Sequence, residues 1–167
     1  MKTFGIVGWK NSGKTGLVVR LVTAISEKGF SVSTIKHAHH RFDVDKPGKD
    51  SFRHRDARAK EIILSSKNRW VLMNELRDDS EPKLSQLVSK LSPVDLVLVE
   101  GFKKDINLKL EVHRVETGQP LLAQSFHDIL AVASNSTNLN LNVPVFDLND
   151  TGAIADFVLR RVGLSGR

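Results

Sequence analysis

The stretch Gly8-Trp9-Lys10-Asn11-Ser12-Gly13-Lys14-Thr15 decides the fold of this chain. It fits the pattern G-x-x-x-x-G-K-[ST] without a mismatch, and this pattern forms a loop whose backbone N–H groups surround phosphate oxygens. A short apolar segment at residues 3–7 precedes it, and apolar residues at helical spacing follow it from Leu17 to Ile25. The order strand, glycine-rich loop, helix is the context that this mechanism requires. We therefore predict that residues 8–15, the phosphate loop, bind the phosphates of a nucleotide.

Three side chains are expected to act on those phosphates. Lys14 should reach the β- and γ-phosphates, and the hydroxyl of Thr15 should bind a Mg²⁺ ion that they share. A second ligand is expected at the end of a neighbouring strand, and Glu100 directly follows the apolar residues 96–99. Asp95 lies about 16 Å away at about 3.3 Å per residue, so it is the poorer choice. We predict Lys14 and Glu100 as catalytic residues and Thr15 and Glu100 as metal ligands; the alternative for Glu100 is a solvated strand-end carboxylate.

Strands and helices alternate along the rest of the chain. Short apolar or β-branched runs predict strands at residues 3–7, 31–37, 62–64, 70–73, 96–99, 108–112, 129–133 and 143–146. Helical spacing and capping residues predict helices that end near Gly29, begin at Asp50 or Ser51, cover residues 84–91, and begin at Asp150 or Thr151. This order predicts an α/β three-layer sandwich, with a mostly parallel sheet and helices on both faces, as in P-loop NTPases.

Two strands receive specific positions in this prediction. Residues 96–99 are apolar on both faces, which is typical of the middle of a parallel sheet. Residues 108–112 alternate between apolar and charged, which is typical of a half-exposed edge strand whose orientation, antiparallel included, stays open. No repeat or linker divides the chain, so we predict one nucleotide-binding domain over residues 1–167.

Composition narrows the classes of partner. The formal charge of +6 favours anionic partners, among them nucleotides, phosphorylated cofactors and nucleic acids. The chain has no cysteine, and its longest apolar runs are far shorter than the roughly 20 residues that cross a bilayer. We expect a cytoplasmic protein without a membrane partner. Tyrosine is absent, and no basic stripe alternates with aromatic residues, so we expect no nucleic-acid partner.

A polar segment follows the second predicted strand. Residues 37–51 carry three imidazoles and three carboxylates, namely His37, His39, His40, Asp43, Asp45 and Asp50. Loops at the carboxyl ends of parallel strands line the ligand crevice, which places this segment beside the phosphate loop. It could contact nucleotide, Mg²⁺ or a second ligand, with Asp45 or Asp50 as outer acids and with Lys46 or Lys49 on phosphates. A transition-metal site and a solvated loop are the alternatives, and the spacing H-x-H-H is not that of common zinc modules.

Two groups of basic residues remain. One lies on the second predicted helix and comprises Arg53, His54, Arg55, Arg58 and Lys60. It is either a solvated helix face or a docking surface for an anionic partner. Lys103 and Lys104 raise the same alternatives close to Glu100.

Four motifs in this order resemble one known family. They are the phosphate loop, Lys36-His37-Ala38-His39-His40, Asp45-Lys46-Pro47-Gly48-Lys49-Asp50-Ser51, and Val99-Glu100-Gly101-Phe102-Lys103. Together they resemble the family of molybdopterin-guanine dinucleotide biosynthesis protein B, from about Phe4 to Val162. The second and third motifs are much more specific than the phosphate loop, which many unrelated proteins share.

This resemblance implies a GTP-binding adapter that assists the attachment of GMP to molybdopterin. It implies a homodimer that works beside the guanylyltransferase, with GTP and Mg²⁺ as cofactors and molybdopterin or its guanine dinucleotide as a further ligand. The implied nucleotide-binding residues are Gly8, Trp9, Lys10, Asn11, Ser12, Gly13, Lys14 and Thr15. The segment around His37, Asp45, Lys49 and Asp50 is implied to lie at the nucleotide or to contact the pterin. Because the guanine-reading motif N-K-x-D is absent, the preference for guanine rests on the resemblance; Asn135 or Asp147 could face the base.

Three functions follow from these features. The first is a GTP-binding adapter that is at most a slow GTPase, because no glutamine lies near Glu100 and the loop offers only Lys10 as a stabilising cation. We expect turnover of roughly 10⁻⁴ to 10⁻² s⁻¹. The second is a small-molecule kinase or an ATP-dependent ligase; the candidate for the arginine-rich lid of a kinase is the basic helix around Arg53 to Lys60. The third is a GTP-driven metal chaperone that carries nickel or zinc on His37, His39 and His40.

Overall fold

The computed structural model describes residues 1–38 and 42–164 and divides the chain into two compact units. The first unit comprises Met1–His37 and Lys83–Arg167, and the second comprises Ala38–Pro82. The strands in chain order are β1 (Lys2–Val7), β2 (Val32–Lys36), β3 (Glu61–Ser65), β4 (Trp70–Asn74), β5 (Leu96–Glu100), β6 (Lys109–His113), β7 (Ile129–Ser134) and β8 (Val145–Asp147). The helices are α1 (Lys14–Glu27), α2 (Asp50–Asp56), α3 (Leu84–Val88) and α4 (Thr151–Val162). The single domain over residues 1–167 stays a prediction.

The first unit is built on a parallel six-stranded sheet with the order β2-β5-β1-β6-β7-β8. After β1 the chain crosses to the β2 edge, whereas β6 to β8 continue on the other side of β1. The carboxyl end of β1 is therefore a point where the topology switches direction, and ligands of open α/β sheets bind at such points. The phosphate loop begins at this end of β1.

Helices cover both faces of this sheet. Leu17, Leu21 and Ile25 recur along α1 at helical spacing, and they pack with α4 against one face. The other face is covered by α3, whose Leu84 packs on Val97 and Val99 of β5, and by the segment after β6. Full burial of such a side chain contributes about 1.5–3 kcal/mol. The predicted three-layer sandwich is thereby confirmed.

The ends of the long helices follow their sequence signals. The side chain of Asp150 accepts a 3.0 Å hydrogen bond from the Ala153 N–H, as predicted for the start of α4. Helix α1 ends at Glu27, and Gly29 with φ of 84° follows its last turn. This left-handed conformation is the reason for a glycine at that helix end.

The prediction of an exposed edge strand at residues 108–112 was wrong. Strand β6 is buried over its whole length and lies in the interior of the sheet, parallel to both β1 and β7. Its charged residues have internal partners: Lys109 contacts Asp128, and Glu111 accepts hydrogen bonds from two backbone N–H groups. An alternating pattern therefore does not mean exposure when the charged face is covered by a segment that pairs with it.

Four smaller predictions also need correction. Strand β5 is buried on both faces as expected but lies second from the edge, because β1 and β6 occupy the centre. Strand β8 begins at Val145 and is partly exposed, and α3 ends at Val88 instead of continuing to Leu91. The residue before α2 is Lys49, so neither Asp50 nor Ser51 caps this helix.

The second unit consists of α2 and an antiparallel hairpin of β3 and β4. The hairpin confirms the two short strands predicted at residues 62–64 and 70–73. Ile62 is buried, whereas Ile63 and Trp70 are exposed. No helix within the described ranges combines the length and the apolar character needed to cross a bilayer.

Candidate nucleotide-binding site

The backbone of the phosphate loop has the conformation that anion binding requires. Asn11 has φ of 64° and Gly13 has φ of 99°, and successive residues of opposite hand turn their N–H groups toward one concavity. Gly8 is sterically required, because a Cβ atom there would lie 2.3 Å from the Val112 carbonyl oxygen. The loop opens directly into α1, whose N-terminus adds about half a positive charge.

Ser12 gives a direct test of whether this loop fits a phosphate. Its hydroxyl oxygen is buried, and among the described residues it has no hydrogen-bond partner. A buried hydroxyl without a partner is costly, and a phosphate oxygen is an acceptor that would satisfy it. The residues present therefore fit a bound phosphate group.

Lys14 lies across the loop with its ammonium group on a backbone carbonyl. Its Nζ donates a 2.6 Å hydrogen bond to the Trp9 oxygen. Burial lowers the pKa of Lys14, Glu100 opposes this effect, and the ammonium groups of Lys103 and Lys36 lower the pKa further. Negative phosphate oxygens would raise the pKa of Lys14 again, because three lysines surround only one carboxylate and the phosphates add the missing negative charge.

The structure brings the two predicted metal ligands together. The Thr15 hydroxyl donates a 2.8 Å hydrogen bond to Glu100 Oε1, and Glu100 is a buried residue at the end of β5. The parallel pairing of β1 with β5 sets Glu100 beside Ile6, two residues before the phosphate loop. A hydroxyl and a carboxylate at this place are the hard oxygen ligands that suit Mg²⁺. Their role as ligands stays a prediction.

Lys36 belongs to the same cluster, although the sequence analysis gave it no role. Its Nζ lies 3.0 Å from Thr15 Oγ1 and 3.1 Å from Glu100 Oε1. The pairing of β2 with β5 places Lys36 directly opposite Glu100. The sequence does show that Lys36 lies at the end of a predicted strand. It does not show that Lys36 meets Glu100, because that requires knowing that β2 and β5 are neighbours.

More positive charge surrounds the loop. Lys103 Nζ lies 4.3 Å from the centre of the Trp9 ring, which is cation–π geometry. Arg114, which the sequence analysis also missed, places its Nε 3.3 Å from where a Cβ on Gly13 would be. An open groove continues from the loop and is lined by Trp9, Lys10, Asn11, Arg114, Glu116, Thr117 and Gln119. The surroundings of the loop thus favour a polyanionic ligand.

The two candidates for facing the base already have internal partners. Asn135 accepts a hydrogen bond from the Val115 N–H at 3.2 Å and donates one to Glu116 at 2.6 Å. Asp147 accepts a hydrogen bond from the Asn149 N–H at 2.8 Å. Hydrogen bonds to the Glu116 backbone N–H and to Asn135 lower the pKa of Glu116, which keeps a carboxylate in the groove. Contact of Asn135 or Asp147 with a base stays a prediction.

Of the three predicted histidines in residues 37–51, the structure describes only His37. The His37 N–H donates to the Glu100 carbonyl at 2.9 Å, and the His37 ring stacks on Phe102 at 4.6 Å between centroids. His37 therefore lies next to Glu100 in the first unit. His39 and His40 lie outside the described residues, and with them the predicted metal site. Within residues 1–38 and 42–164, no three His, Cys, Asp or Glu side chains come together to hold a metal ion.

The other predicted contacts belong to the second unit. The side chain of Asp45 is buried and lies 2.9 Å from Arg55, which also contacts Asp43 at 3.0 Å. Lys49 and Asp50 are exposed at the start of α2. Part of the basic helix face is thus paired within its own unit. The contacts of Asp45, Lys49 and Asp50 with a nucleotide stay predictions.

Comparisons with known proteins agree on one family. The family model described as "MobB: Molybdopterin guanine dinucleotide synthesis protein B" matches residues 3–135. The chain is 42% identical over 154 residues to the molybdopterin-guanine dinucleotide biosynthesis adapter protein of Escherichia coli (strain K12), covering 90% of this chain and 87% of that protein. The corresponding protein of Haemophilus influenzae is 39% identical over 155 residues, covering 92% and 85%.

A solved structure extends this similarity to the fold. The crystal structure of Bacillus subtilis MobB superposes with a TM-score of 0.76 at 23% identity, and the alignment covers 97% of this chain and 98% of that one. At this level of identity the superposition shows the fold alone.

Proposed function

Because the chain belongs to the MobB family, molybdopterin guanine dinucleotide synthesis protein B, we propose that it is a GTP-binding adapter with weak GTPase activity. In this function it assists the conversion of molybdopterin cofactor to molybdopterin guanine dinucleotide. The adapter name of the Escherichia coli and Haemophilus influenzae relatives supports this assignment. One observation in the structure carries the nucleotide part: a complete phosphate loop with Lys14, Thr15 and Glu100 gathered at its end.

Each of these groups has a definite task in binding. The backbone N–H groups of the loop and the Ser12 hydroxyl donate to phosphate oxygens, and Lys14 leaves the Trp9 carbonyl to contact the terminal phosphates. Thr15 and Glu100 would hold Mg²⁺, which supplies neutralisation of the charge shared by the β- and γ-phosphates. Binding therefore satisfies the buried hydroxyl and supplies the counter-charge that the lysines lack.

Hydrolysis should be slow for reasons visible in the site. Gly101, Phe102 and Lys103 follow Glu100, so the segment supplies no glutamine to orient an attacking water. The arginine described beside the phosphate loop is Arg114, which lies next to Gly13. GTPases that supply a catalytic arginine from the same chain turn over at about 10⁻² s⁻¹. We therefore expect turnover of roughly 10⁻⁴ to 10⁻² s⁻¹ for this protein. Turnover above about 1 s⁻¹ without a partner would contradict the assignment.

Membership of the family also supports a proposal for the partners and the location. We propose a cytoplasmic homodimer, in which residues 1–167 form one nucleotide-binding domain, working beside a molybdenum cofactor guanylyltransferase. Molybdopterin or its guanine dinucleotide is the further ligand, and the predicted contacts of His37, Asp45, Lys49 and Asp50 belong to this part of the proposal. The positive side chains around the phosphate loop suit either of these phosphorylated ligands.

Calorimetric titration of the purified protein with GTP and with ATP, each with Mg²⁺, tests the proposal. We expect GTP to bind, ATP to compete poorly, and Lys14→Ala to bind neither nucleotide while remaining folded by circular dichroism. Equal or tighter binding of ATP would contradict the assignment of guanine. Absence of binding by the wild-type protein would contradict the nucleotide site itself.

A further inference from the structure

Lys36 occupies a place for which the proposed function has given it no task. Its ammonium group lies between the Thr15 hydroxyl, at 3.0 Å, and Glu100 Oε1, at 3.1 Å. Thr15 and Glu100 are the two residues that fit Mg²⁺, and Glu100 Oε1 accepts from both Thr15 and Lys36. An ammonium group and a divalent cation would therefore use the same oxygen atoms.

We propose that Lys36 is a built-in counter-cation, which occupies the metal position while no divalent cation is bound and is displaced when one binds. This inference rests on the proposed nucleotide function and adds the regulation of its metal site. The ammonium neutralises Glu100, which would otherwise repel an incoming chain of phosphates. It also competes with Mg²⁺ for Glu100 and Thr15.

The environment of Lys36 permits such an exchange. Its side chain is 56% exposed, whereas that of Glu100 is 9% exposed, so the lysine is the mobile partner and the carboxylate is the fixed one. A flexible four-carbon stem lets the ammonium move without a change in the backbone of β2. The lysine ammonium is also a compact point charge, which suits both a carboxylate and a phosphate oxygen.

Two consequences separate this proposal from a general phosphate contact. Nucleotide binding without Mg²⁺ should depend on Lys36, because a hydrogen bond between charged groups shifts affinity by about 10- to 100-fold. Binding with Mg²⁺ should depend on it much less, because the metal then neutralises Glu100. In the protein without nucleotide, Lys36 should weaken the binding of a divalent cation.

The first test compares Lys36→Met, which keeps the length of the side chain and removes its charge, with the wild-type protein. Calorimetry with GTP is performed once in EDTA and once in excess Mg²⁺. We expect the variant to lose at least about tenfold in affinity in EDTA and less than about threefold in Mg²⁺. Lys103→Met is the matched control, since Lys103 lies on the Trp9 ring and should change both affinities by a similar factor. Equal losses for Lys36→Met under the two conditions would overturn the proposal.

The second test needs no nucleotide. Mn²⁺ replaces Mg²⁺, and its binding to the free protein is followed by electron paramagnetic resonance. We expect Lys36→Met to bind Mn²⁺ several-fold more tightly than the wild type, and the double variant Lys36→Met/Glu100→Gln to lose this gain. Unchanged or weaker Mn²⁺ binding by Lys36→Met overturns the proposal. If the wild type binds no GTP in either buffer, the proposed function fails, while the Mn²⁺ comparison still decides the role of Lys36.

Discussion

Two of the clusters in the first unit in which a lysine faces a carboxylate differ in their surroundings. The loop cluster comprises Lys36, Thr15 and Glu100 at the end of the phosphate loop. The strand cluster comprises Lys109 of β6 and Asp128, which are 2.6 Å apart. The side chain of Lys36 is 56% exposed, whereas that of Lys109 is 1% exposed.

The partners of the two lysines explain this difference. Lys109 also donates to the Lys103 carbonyl and lies 5.3 Å from the centre of the Phe126 ring, so its charge is enclosed by the protein. Lys36 contacts only the loop cluster among the pairs described above, and its side chain is more than half exposed. We therefore expect the enclosed Lys109 to contribute to stability and the exposed Lys36 to contribute to ligand binding.

The largest expected effect is a loss of stability when the strand cluster is broken. Lys109→Met removes a buried ammonium and leaves Asp128 without its cation, which should lower the free energy of unfolding by about 2–3 kcal/mol. We expect a smaller loss than for a fully buried ion pair, because the side chain of Asp128 is 38% exposed and water can reach it. Urea denaturation measures the change, and GTP affinity should stay within about twofold. Lys28→Met, which breaks the exposed pair with Asp156, is the control and should cost less than about 1 kcal/mol. Equal losses in the two variants would remove the distinction between buried and exposed pairs.

A second prediction concerns the loop cluster alone. Glu100→Gln keeps the shape of the side chain and removes its charge, so the gain in GTP affinity that Mg²⁺ provides should fall by about tenfold, or about 1.4 kcal/mol. Titration calorimetry with and without Mg²⁺ measures this gain. Asp95→Asn, at the other end of β5, is the control, because Asp95 bonds to Ser31 instead. A gain from Mg²⁺ that survives in Glu100→Gln would show that Glu100 is not a metal ligand.

The smallest expected effect is a pH dependence carried by β6. Burial raises the pKa of Glu111 above 4.5, although hydrogen bonds from the Leu122 and Ala123 N–H groups oppose the shift. The folded state therefore binds the proton more tightly than the unfolded state. Between pH 4.5 and the raised pKa, the free energy of unfolding should fall as pH rises, by at most about 1.4 kcal/mol per pH unit.

Glu111→Gln is the reference for this measurement, because it removes the titrating group and keeps one acceptor oxygen. The difference in unfolding free energy between wild type and variant should slope downward with rising pH in that window. A difference that is independent of pH would contradict the raised pKa of Glu111.

The sequence was sufficient for what depends on neighbouring residues in the chain. The phosphate loop, α1 and the apolar run of β5 each lie within one short stretch, so their patterns predict them correctly. The meeting of Thr15 with Glu100 was also predictable, because acids at the ends of strands beside a phosphate loop have a known mechanistic reason.

The sequence was insufficient where strand order and distant partners decide the outcome. Lys36 meets Glu100 because β2 and β5 are neighbours, a fact that no local pattern contains. The charges of β6 looked solvent-exposed because their partners, Asp128 and the N–H groups of residues 122 and 123, come later in the chain. Alternation of apolar and charged residues indicates that a strand has two different faces, but it does not indicate whether another segment covers the charged face.

The most direct test of the separation between ligand binding and stability is urea unfolding of the wild type, Lys14→Ala and Lys109→Met, each with and without GTP and Mg²⁺. A ligand that binds only the folded state adds about 2.7 kcal/mol of stability at 100 times its Kd. We predict this gain for the wild type and for Lys109→Met, whose stability without ligand is lower. Lys14→Ala should have nearly wild-type stability without ligand and no gain. A gain retained by Lys14→Ala, or lost by Lys109→Met, would contradict the separation of binding from stability.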